Sequence, residues 1–588
     1  MQRWNVVAAG LLALLAAGMA SGQPARAEGG RYLVRANDAA DLAAKRAALL
    51  AGGARIVKQI AELNLLVVVP PATESLHAAS PALAGMIPDR ITRITPPDRI
   101  ANRAARPGLL AARRIEATAA APAEFRPDRA SGYRGLLWNY GRIGLPAGWA
   151  VTAGDPAVTV AVVDTGIDFT HVDLAPSVAL VKDFTRDDSP SACTEFLGAD
   201  APTDRDLARE FGGPVTTDWN GHGSWIAGNI AAAVNGTGIN GIAPGVKLVA
   251  LKIAENCGYA YDSDILDAFA WAARHGVDIV SISFGGYVDR RDPGDDAIYD
   301  LYVDAVAFAR RKGTLIVAAA GNDHVRIGAG GRVISHGSLT TPGEEPFDLF
   351  GWYNVPAGTP GVLVVSATGN RVAGSSAACA PGTTGRLADT GDTATCKPRS
   401  DRHQAAGQGQ ADQLAYYSNY GPRIDVAAPG GARKFNLPYW DRGGTPGYPF
   451  VTGDPSAVWE EFSTASNWGL DVTCFVFVRT PGFTPEQCYS TIQGTSMATP
   501  HVSAVLALIA SSRPELRGNP TALVQALKAG ARPAHNLTQV LSASDRSKGD
   551  LGGPACDQGY CHLGGPPVSD ADAYGAGIVT VPGGAPAS

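Results

Sequence analysis

Short apolar runs alternate with longer segments that carry apolar residues at helical spacing. The short runs are continuously apolar and rich in β-branched residues, as in strands buried on both faces; they cover 158–163, 246–253, 277–283, 314–320, 362–366 and 424–427. The helical patterns cover 263–275, 297–311, 499–510 and 521–529. This order predicts an α/β fold in which helices cover both faces of a parallel sheet, with right-handed crossovers.

A separate small domain is predicted at residues 28–96. It carries strand patterns at 31–36, 54–60, 63–69 and 91–95 and helical patterns at 38–51 and 72–86. The order βαββαβ indicates a ferredoxin-like α+β unit. Residues 97–131 are rich in Arg, Ala and Pro and lack helical periodicity, which predicts a linker and processing region. Residues 132–588 form the predicted main domain.

The first 27 residues have the composition of a secretory signal. Arg3 precedes an apolar stretch at 6–20, and Ala25-Arg26-Ala27 is a small-x-small cleavage site. The apolar stretch is too short, and too rich in Ala and Gly, to span a bilayer well. We therefore expect a secreted protein without a stable membrane anchor. The net charge of −6 gives no support for nucleic-acid binding.

Three polar residues adjoin predicted strands or a glycine-rich helix start. Asp164 ends the first apolar run, and Asn322 follows the fourth run after Gly321. His222 lies in the sequence Gly-His-Gly-Ser-Trp-Ile-Ala-Gly at 221–228. Taken one at a time, each of these residues also fits a turn or a capped helix.

A fourth motif, Gly-Thr-Ser-Met-Ala-Thr-Pro-His at 494–501, places Ser496 before an apolar helical pattern whose first turn accommodates Pro500. Alone, Ser496 reads as the cap of a buried helix. In the order Asp, His, Asn, Ser, however, the four motifs resemble those of the subtilisin-like serine proteases (subtilases). The resemblance covers roughly residues 132–580.

This resemblance implies a role for each of the four residues. Ser496 would be the nucleophile and His222 its base, while Asp164 would orient the imidazole. Asn322 and the backbone N–H of Ser496 would bind the oxyanion. The small N-terminal domain would then be an inhibitory propeptide. Trp225 departs from the pattern, because many relatives carry a second, non-catalytic His there.

Two strand ends resemble the walls of the family's primary specificity pocket; close packing alone would also account for their small residues. The residues are Ser283, Phe284 and Gly285, and Ala319, Ala320 and Gly321. None of them is charged, so we expect cleavage after large apolar or aromatic residues. Small residues also let a substrate backbone add as an extra strand.

No cofactor is expected for catalysis, but the resemblance implies a structural calcium site. Its oxygen ligands would come from side chains of Asp173 and Asn235 and from backbone carbonyls of Ala233, Thr237 and Ile239.

The eight cysteines are expected to form disulfides in an exported protein. Local spacing suggests the pairs Cys379–Cys396, Cys474–Cys488 and Cys556–Cys561, leaving Cys193 to pair with Cys257. Three segments look like surface insertions around the cleft: 183–218, 324–413 and 431–487.

The leading hypothesis is therefore a secreted, monomeric serine endopeptidase, made as a zymogen, that acts on proteins and peptides and is inhibited by its own propeptide. Two alternatives stay open. One is a catalytically inactive binding protein with the same fold. The other is a dedicated processing peptidase or peptide ligase with a narrow substrate range.

Overall fold

The computed structural model describes thirteen stretches of the chain: 30–71, 85–94, 137–186, 188–235, 238–339, 347–369, 412–415, 417–431, 461–464, 466, 476–478, 487–541 and 563–584. The predicted signal at 1–27 and the predicted linker at 97–131 lie outside these residues. Among the described residues, no helix is both long enough and apolar enough to cross a membrane.

The N-terminal domain is built on a four-stranded antiparallel sheet. Its elements are β1 (Tyr32–Arg35), α1 (Ala39–Ala51), β2 (Arg55–Ile60), β3 (Leu65–Val69) and β4 (Ile87–Pro88), and the sheet order is β2-β3-β1-β4. The Asp38 side chain caps α1 by accepting the N–H groups of Ala40 and Asp41. Most of the second predicted helix, at 72–86, lies outside the described residues.

The last strand predicted for this domain belongs to another sheet. The sequence pattern predicts it at 91–95, but β4 completes the domain's sheet instead. The strand observed at this point is β5 (Ile91–Ile94), and it pairs only with strands of the main domain. The sequence Ile-Thr-Arg-Ile-Thr at 91–95 cannot show which sheet the strand joins, because the pattern of apolar residues indicates burial and not the partner strand.

The main domain begins with two short helices and ends with α11. Its first half contains α2 (Trp138–Arg142), α3 (Leu145–Gly148), β6 (Thr159–Asp164), β7 (Val178–Asp183), α4 (Ala192–Leu197), α5 (Asp204–Phe211), α6 (His222–Ala231), β8 (Lys247–Lys252), β9 (Tyr259–Tyr261), α7 (Asp262–Arg274), β10 (Ile279–Ile282), β11 (Phe284–Val288), α8 (Pro293–Arg311) and β12 (Leu315–Ala319).

The second half is richer in short strands. It contains β13 (Ser338–Leu339), β14 (Phe347–Asp348), β15 (Tyr353–Val355), β16 (Leu363–Thr368), β17 (Val426–Pro429), β18 (Glu461–Thr464), β19 (Val476–Val478), β20 (Gln487–Ile492), α9 (Thr495–Ser512), α10 (Pro520–Gly530), β21 (Gln539–Leu541), β22 (Leu563–Pro567) and α11 (Asp570–Tyr574).

A seven-stranded parallel sheet with the order β17-β16-β12-β10-β6-β8-β7 forms the centre of the main domain. Six of its strands correspond to the six predicted apolar runs, so the predicted parallel α/β fold is confirmed. The edge strand β7 was not predicted. Its residues are half-buried or exposed, so it lacks a continuous apolar run.

Alternate residues of β6 pack against different helical layers. Val160 and Val162 belong to the core that contains α6 and α9. Ala161 and Val163 belong to the core that contains α7 and α8. The second core also takes in one face of the N-terminal sheet, through Leu33, Leu65, Val67 and Ile87. The N-terminal domain therefore packs directly on the helices α7 and α8.

Helix α9 begins earlier than its apolar pattern predicts, at Thr495. Pro500 consequently lies inside the helix and not in its first turn. Because proline has no N–H, the carbonyl of Ser496 loses its intrahelical donor. The hydroxyl of Ser283 supplies a replacement by donating to Ser496 O at 3.2 Å.

Candidate active site

Asp164 and His222 form a buried pair at the carboxyl end of β6. His222 Nδ1 lies 2.8 Å from Asp164 Oδ1, and each side chain is 1% exposed. Asp164 Oδ1 also accepts the backbone N–H of Thr165 at 2.8 Å. A carboxylate in this position favours the tautomer that carries its proton on Nδ1, which makes Nε2 the basic nitrogen.

The first turn of α6 packs closely on the turn that follows Asp164. A Cβ built at Gly223 would lie 2.1 Å from Gly166 O and 3.2 Å from Asp164 Oδ1. Gly166 has φ of 111°, a left-handed conformation that favours glycine. The glycine on the helix side therefore allows the two elements to approach closely enough for the Asp164–His222 hydrogen bond.

Asp218 joins these two turns, although the sequence motifs do not single it out. Its Oδ1 accepts the Thr165 hydroxyl at 2.8 Å and the Gly221 N–H at 2.7 Å. Its Oδ2 accepts both the N–H and the hydroxyl of Ser224 at 2.7 Å. Burial raises the pKa of Asp218, while these donors stabilise its charged form. The only sequence signal is its position shortly before His222.

Lys252 holds the same turn from the side of the sheet. Its buried Nζ donates to Thr165 O at 2.5 Å and to Ala254 O at 2.9 Å. It also pairs with Asp204 at 2.8 Å, and the Lys252 side chain is 0% exposed. Asp204 belongs to the segment 183–218, so this predicted insertion contributes to the support of the site.

Ser496 lies in the first turn of α9 and is buried. Its Oγ is 3.5 Å from the carbonyl oxygen of Ser283. Ser283 follows β10, whose Ile282 pairs with Val163 of β6. Ser496 therefore lies near the carboxyl ends of the strands, on the same side of the sheet as Asp164. This is where the topology of a parallel α/β fold places reacting groups.

Asn322 is anchored to the same helix start. Its Oδ1 accepts the N–H of Thr495 at 2.9 Å and the Thr495 hydroxyl at 2.8 Å. Its Nδ2 would be 3.4 Å from a Cβ built on Gly494. Because Thr495 holds the side-chain oxygen of Asn322, the side-chain nitrogen Nδ2 is left to donate to a negatively charged oxygen beside Ser496.

Strand β5 lies beside the predicted pocket wall formed by Ser283, Phe284 and Gly285. Phe284 pairs antiparallel with Ile94, and Gly285 pairs with Arg93. On the other side of β5, Ile91 pairs with Tyr261 of β9. A Cβ on Gly286 would lie 2.9 Å from the Thr92 hydroxyl oxygen, so glycine allows this close approach.

The other predicted wall, formed by Ala319, Ala320 and Gly321, is buried at the end of β12. Ala320 O accepts the side-chain amides of Asn354 at 3.2 Å and Asn419 at 2.7 Å. Gly321 has φ of 103° and donates its N–H to the Thr495 hydroxyl at 3.2 Å. These contacts fix the backbone that leads into Asn322.

Protein donors occupy the Asp173 carboxylate, one of the two side chains predicted to bind calcium. The carboxylate of Asp173 accepts three protein donors: Asn235 Nδ2 at 2.8 Å, the backbone N–H of Ile239 at 3.0 Å and the Tyr489 hydroxyl at 2.8 Å. Donor hydrogens face the oxygens that would have to face a metal. Ala233 donates its N–H to Asp173 O. Thr237 lies outside the described residues, so the calcium site with its three carbonyl ligands stays a prediction.

The predicted Cys193–Cys257 disulfide is confirmed, with Cα atoms 5.8 Å apart. It ties α4 to the loop before β9. Cys488 is also disulfide-bonded, and its partner lies outside the described residues. The remaining cysteines, at 379, 396, 474, 556 and 561, lie outside them as well.

Described parts of two predicted insertions pack beside the site. In the insertion 431–487, Thr464 of β18 donates its hydroxyl to Ser224 O at 2.9 Å. Trp225, the departure from the family pattern, donates its indole N–H to Ser490 O of β20, just after that insertion, at 3.2 Å. The strand β15, within 324–413, pairs antiparallel with β11. The local sheet therefore has the order β15-β11-β5-β9.

The fold is a parallel sheet covered by helices. A buried Asp–His pair and a serine in the first turn of a helix lie on the side where the strands end. These are the functional groups of a serine hydrolase. The chain belongs to the subtilase family (peptidase family S8), whose model matches residues 155–560.

The chain is also similar in sequence to known serine proteinases. The thermophilic serine proteinase of Bacillus sp. (strain AK1) is 32% identical over 238 residues, which cover 38% of this chain and 49% of the relative. Thermitase of Thermoactinomyces vulgaris is 26% identical over 372 residues, which cover 63% of this chain and 80% of thermitase. The match thus spans about half the length of the first relative.

Similarity to solved structures extends over nearly the whole chain. The epidermin leader peptide processing serine protease from Staphylococcus aureus covers 94% of this chain, and this chain covers 96% of it. The TM-score is 0.53 and the sequence identity 18%. At this identity, the comparison concerns the fold alone.

Proposed function

We propose that the chain is a secreted serine endopeptidase, made as a zymogen, that hydrolyses proteins and peptides through an acyl-enzyme. The observation that carries this proposal is the buried 2.8 Å contact between Asp164 and His222, on the side of the sheet where Ser496 lies in the first turn of α9. Membership of the subtilase family supports the same chemistry.

In the proposed reaction, His222 accepts the hydroxyl proton of Ser496 as Oγ attacks the substrate carbonyl. His222 then returns this proton to the leaving amine, and water hydrolyses the acyl-enzyme by the same route in reverse. Asp164 holds the imidazole tautomer and stabilises the imidazolium. The donors to Asp164 from Thr165, together with Asp218 and Lys252 behind them, keep this carboxylate in place.

The oxyanion is bound by Asn322 Nδ2 and the backbone N–H of Ser496. Two features support this role: Thr495 holds the carbonyl end of Asn322, and the first turn of α9 presents N–H groups without intrahelical partners. Donors fixed before the reaction need little reorganisation as charge develops, which is why they favour the transition state.

The N-terminal domain acts as the inhibitor of the zymogen in this proposal. Its strand β5 lies antiparallel between β9 and β11, the arrangement expected of a bound peptide. Its Asp89 accepts the N–H of Ser263 at 3.0 Å, and so caps α7 from outside the main domain. α7 itself has no side-chain cap.

Secretion is supported by the signal-like residues at 1–27 and by the Cys193–Cys257 disulfide, since disulfides persist in oxidising compartments. The proposed preference for apolar or aromatic residues before the scissile bond follows from the uncharged walls. The nearest acid in the sequence is Asp323, whose carboxylate accepts the Tyr287 hydroxyl at 2.5 Å.

Casein hydrolysis by the full chain and by Ser496→Ala tests the proposed function. We expect Ser496→Ala to lose hydrolysis and to stay unprocessed, because the nucleophile also performs maturation. Ser512→Ala is the matched control, since Ser512 lies at the other end of α9 and its hydroxyl donates to Ile509 O of the same helix. Normal hydrolysis by Ser496→Ala would overturn the proposal, and cleavage of selected peptides but not casein would favour a dedicated processing enzyme.

A further inference from the structure

Two cations of the N-terminal domain are buried against two carboxylates of the main domain. Arg31 pairs with Asp188, and Lys58 pairs with Asp264. Lys58 Nζ also lies 3.4 Å from Asp188, and Arg31 lies 3.5 Å from Asp264. The Arg31 and Asp264 side chains are 0% exposed. We call the main-domain part of this cluster the Asp188–Asp264 pocket; it also includes Ser263 and Tyr261.

The pocket matches a guanidinium in shape as well as in charge. Arg31 donates to the Ser263 hydroxyl at 2.6 Å. Its central carbon lies 3.8 Å from the centre of the Tyr261 ring, a cation–π contact. A planar group is therefore stacked on one side and hydrogen-bonded at its edge. An ammonium can use the carboxylates but not this stacked, forked geometry.

The two carboxylates need a cation when they are buried together. Two like charges side by side in a low-dielectric site repel each other, and a paired cation offsets that repulsion. Both cations belong to residues that leave with the N-terminal domain. The main domain is then left with two neighbouring acids and the polar and aromatic groups that fitted Arg31.

The pocket lies along the path of a peptide bound in the groove. Beyond the pair Ile91–Tyr261, the backbone stays close to the main domain, since Asp262 N donates to Arg90 O at 2.8 Å. One residue earlier, the Asp89 carboxylate accepts the Ser263 hydroxyl at 2.7 Å and lies 3.0 Å from Arg31 Nε. A side chain at the position of Asp89 therefore reaches into the pocket.

We propose that the Asp188–Asp264 pocket is a substrate subsite of the mature enzyme that binds an arginine side chain at the position aligned with Asp89. This inference rests on the proposed function, because the pocket opens only when the N-terminal domain is removed. It adds a remote basic preference to the apolar preference next to the scissile bond.

A pair of internally quenched peptides tests the subsite on the processed enzyme. The peptides have the same sequence and differ only in Arg or Gln at the position aligned with Asp89. We expect kcat/KM to be about tenfold higher for the Arg peptide, the size typical of a charge-assisted contact. The preference should disappear in Asp188→Asn and in Asp264→Asn, because kcat/KM for the Arg peptide falls to that for the Gln peptide.

Asp300→Asn is the matched control, because Asp300 is an acid on α8 with a side chain that is 53% exposed. It should keep the preference for the Arg peptide. Using both pocket variants guards against misfolding of one, since Asp188 is in a loop and Asp264 in a helix. Equal cleavage of the two peptides by the unmodified enzyme, or a preference that survives both pocket substitutions, would overturn the subsite.

The peptides also separate this inference from the proposed function. Serine-dependent cleavage of both peptides at equal rates would remove the subsite and leave the endopeptidase intact. Cleavage of neither peptide, together with an unreactive Ser496, would overturn the proposed function and the subsite with it.

Discussion

At the scale of single residues, the turns that carry Asp164 and His222 are held by groups outside the four sequence motifs. The resemblance to subtilases was enough to single out Asp164, His222, Asn322 and Ser496, because each lies in a recognisable motif. Asp218 and Lys252 could not be found this way. Their importance comes from hydrogen bonds to the Thr165 turn, which join residues distant in sequence.

Gly223→Ala should reduce kcat strongly. The added methyl group would lie 2.1 Å from Gly166 O, so α6 must shift and the His222–Asp164 hydrogen bond must lengthen. We expect a loss of at least about tenfold in kcat, since small displacements of catalytic groups are costly. Steady-state kinetics on the purified variant provide the measurement.

Gly530→Ala is the control for this substitution, because a Cβ there has nothing within 4 Å. It should leave kcat unchanged and keep or slightly raise stability. Full activity in Gly223→Ala would mean that the close packing of α6 on the Asp164 turn is not needed for catalysis.

At the scale of elements, the sequence predicted the strands of the central sheet much better than their partners. The continuous apolar runs identified six of its seven strands, since burial on both faces leaves a clear pattern. The same reasoning assigned 91–95 to the wrong sheet and placed Pro500 too early in α9. In both cases the deciding contacts, Phe284–Ile94 and Ser283–Ser496, come from elsewhere in the chain.

The buried His501 of helix α9 should make the folded protein less stable at acid pH. His501 is buried, with Nδ1 2.9 Å from Met497 O and Nε2 2.7 Å from Asn139 Nδ2. Burial lowers the pKa of His501 from 6.5 to about 4. The unfolded chain therefore binds a proton more readily, and the free energy of unfolding falls as the pH drops from 6.5 towards 4.

The size of this loss should be roughly 3 kcal/mol for a shift of this extent. Denaturant unfolding of Ser496→Ala at several pH values measures it without self-digestion. Adding His501→Gln should flatten the dependence over that pH range. The same slope with and without His501 would show that another group is responsible.

The hydrogen bond from Tyr489 of β20 to Asp173 should stabilise the fold without a bound metal ion. Tyr489→Phe removes the hydroxyl that donates to Asp173 Oδ2 at 2.8 Å. Because this carboxylate is buried, we expect a loss of about 1–3 kcal/mol in the free energy of unfolding. EGTA should leave the melting temperature unchanged.

Thermal unfolding with and without EGTA, and after adding back Ca²⁺, distinguishes the two accounts. A melting temperature that falls in EGTA and recovers with Ca²⁺ would contradict the hydrogen-bonded arrangement and restore the calcium site implied by the family resemblance.

At the scale of the whole molecule, the N-terminal domain and the main domain share one apolar core and one buried ion cluster. Composition and position in the chain were enough to predict a separate small domain. They could not reveal how it docks, because Arg31 and Lys58 are ordinary basic residues in the sequence. Their partners Asp188 and Asp264 become apparent only in the folded chain.

The isolated N-terminal domain should inhibit the processed enzyme in trans. Arg31→Gln should raise the inhibition constant at least about tenfold, because it removes a buried charge from the Asp188–Asp264 pocket and leaves the acids unpaired. Lys45→Gln is the control, since Lys45 pairs with Asp41 inside the same domain. Equal inhibition by the Arg31→Gln domain would show that the ion cluster contributes little to docking.

The central claim is that Ser496 is a nucleophile activated by the Asp164–His222 pair. Labelling of the processed enzyme with a fluorophosphonate, followed by peptide mass spectrometry, tests this claim most directly. We predict a single adduct on Ser496, and much slower labelling after His222→Ala although the fold is retained. An enzyme that hydrolyses protein while Ser496 stays unlabelled, or an adduct on a different serine, would contradict the account.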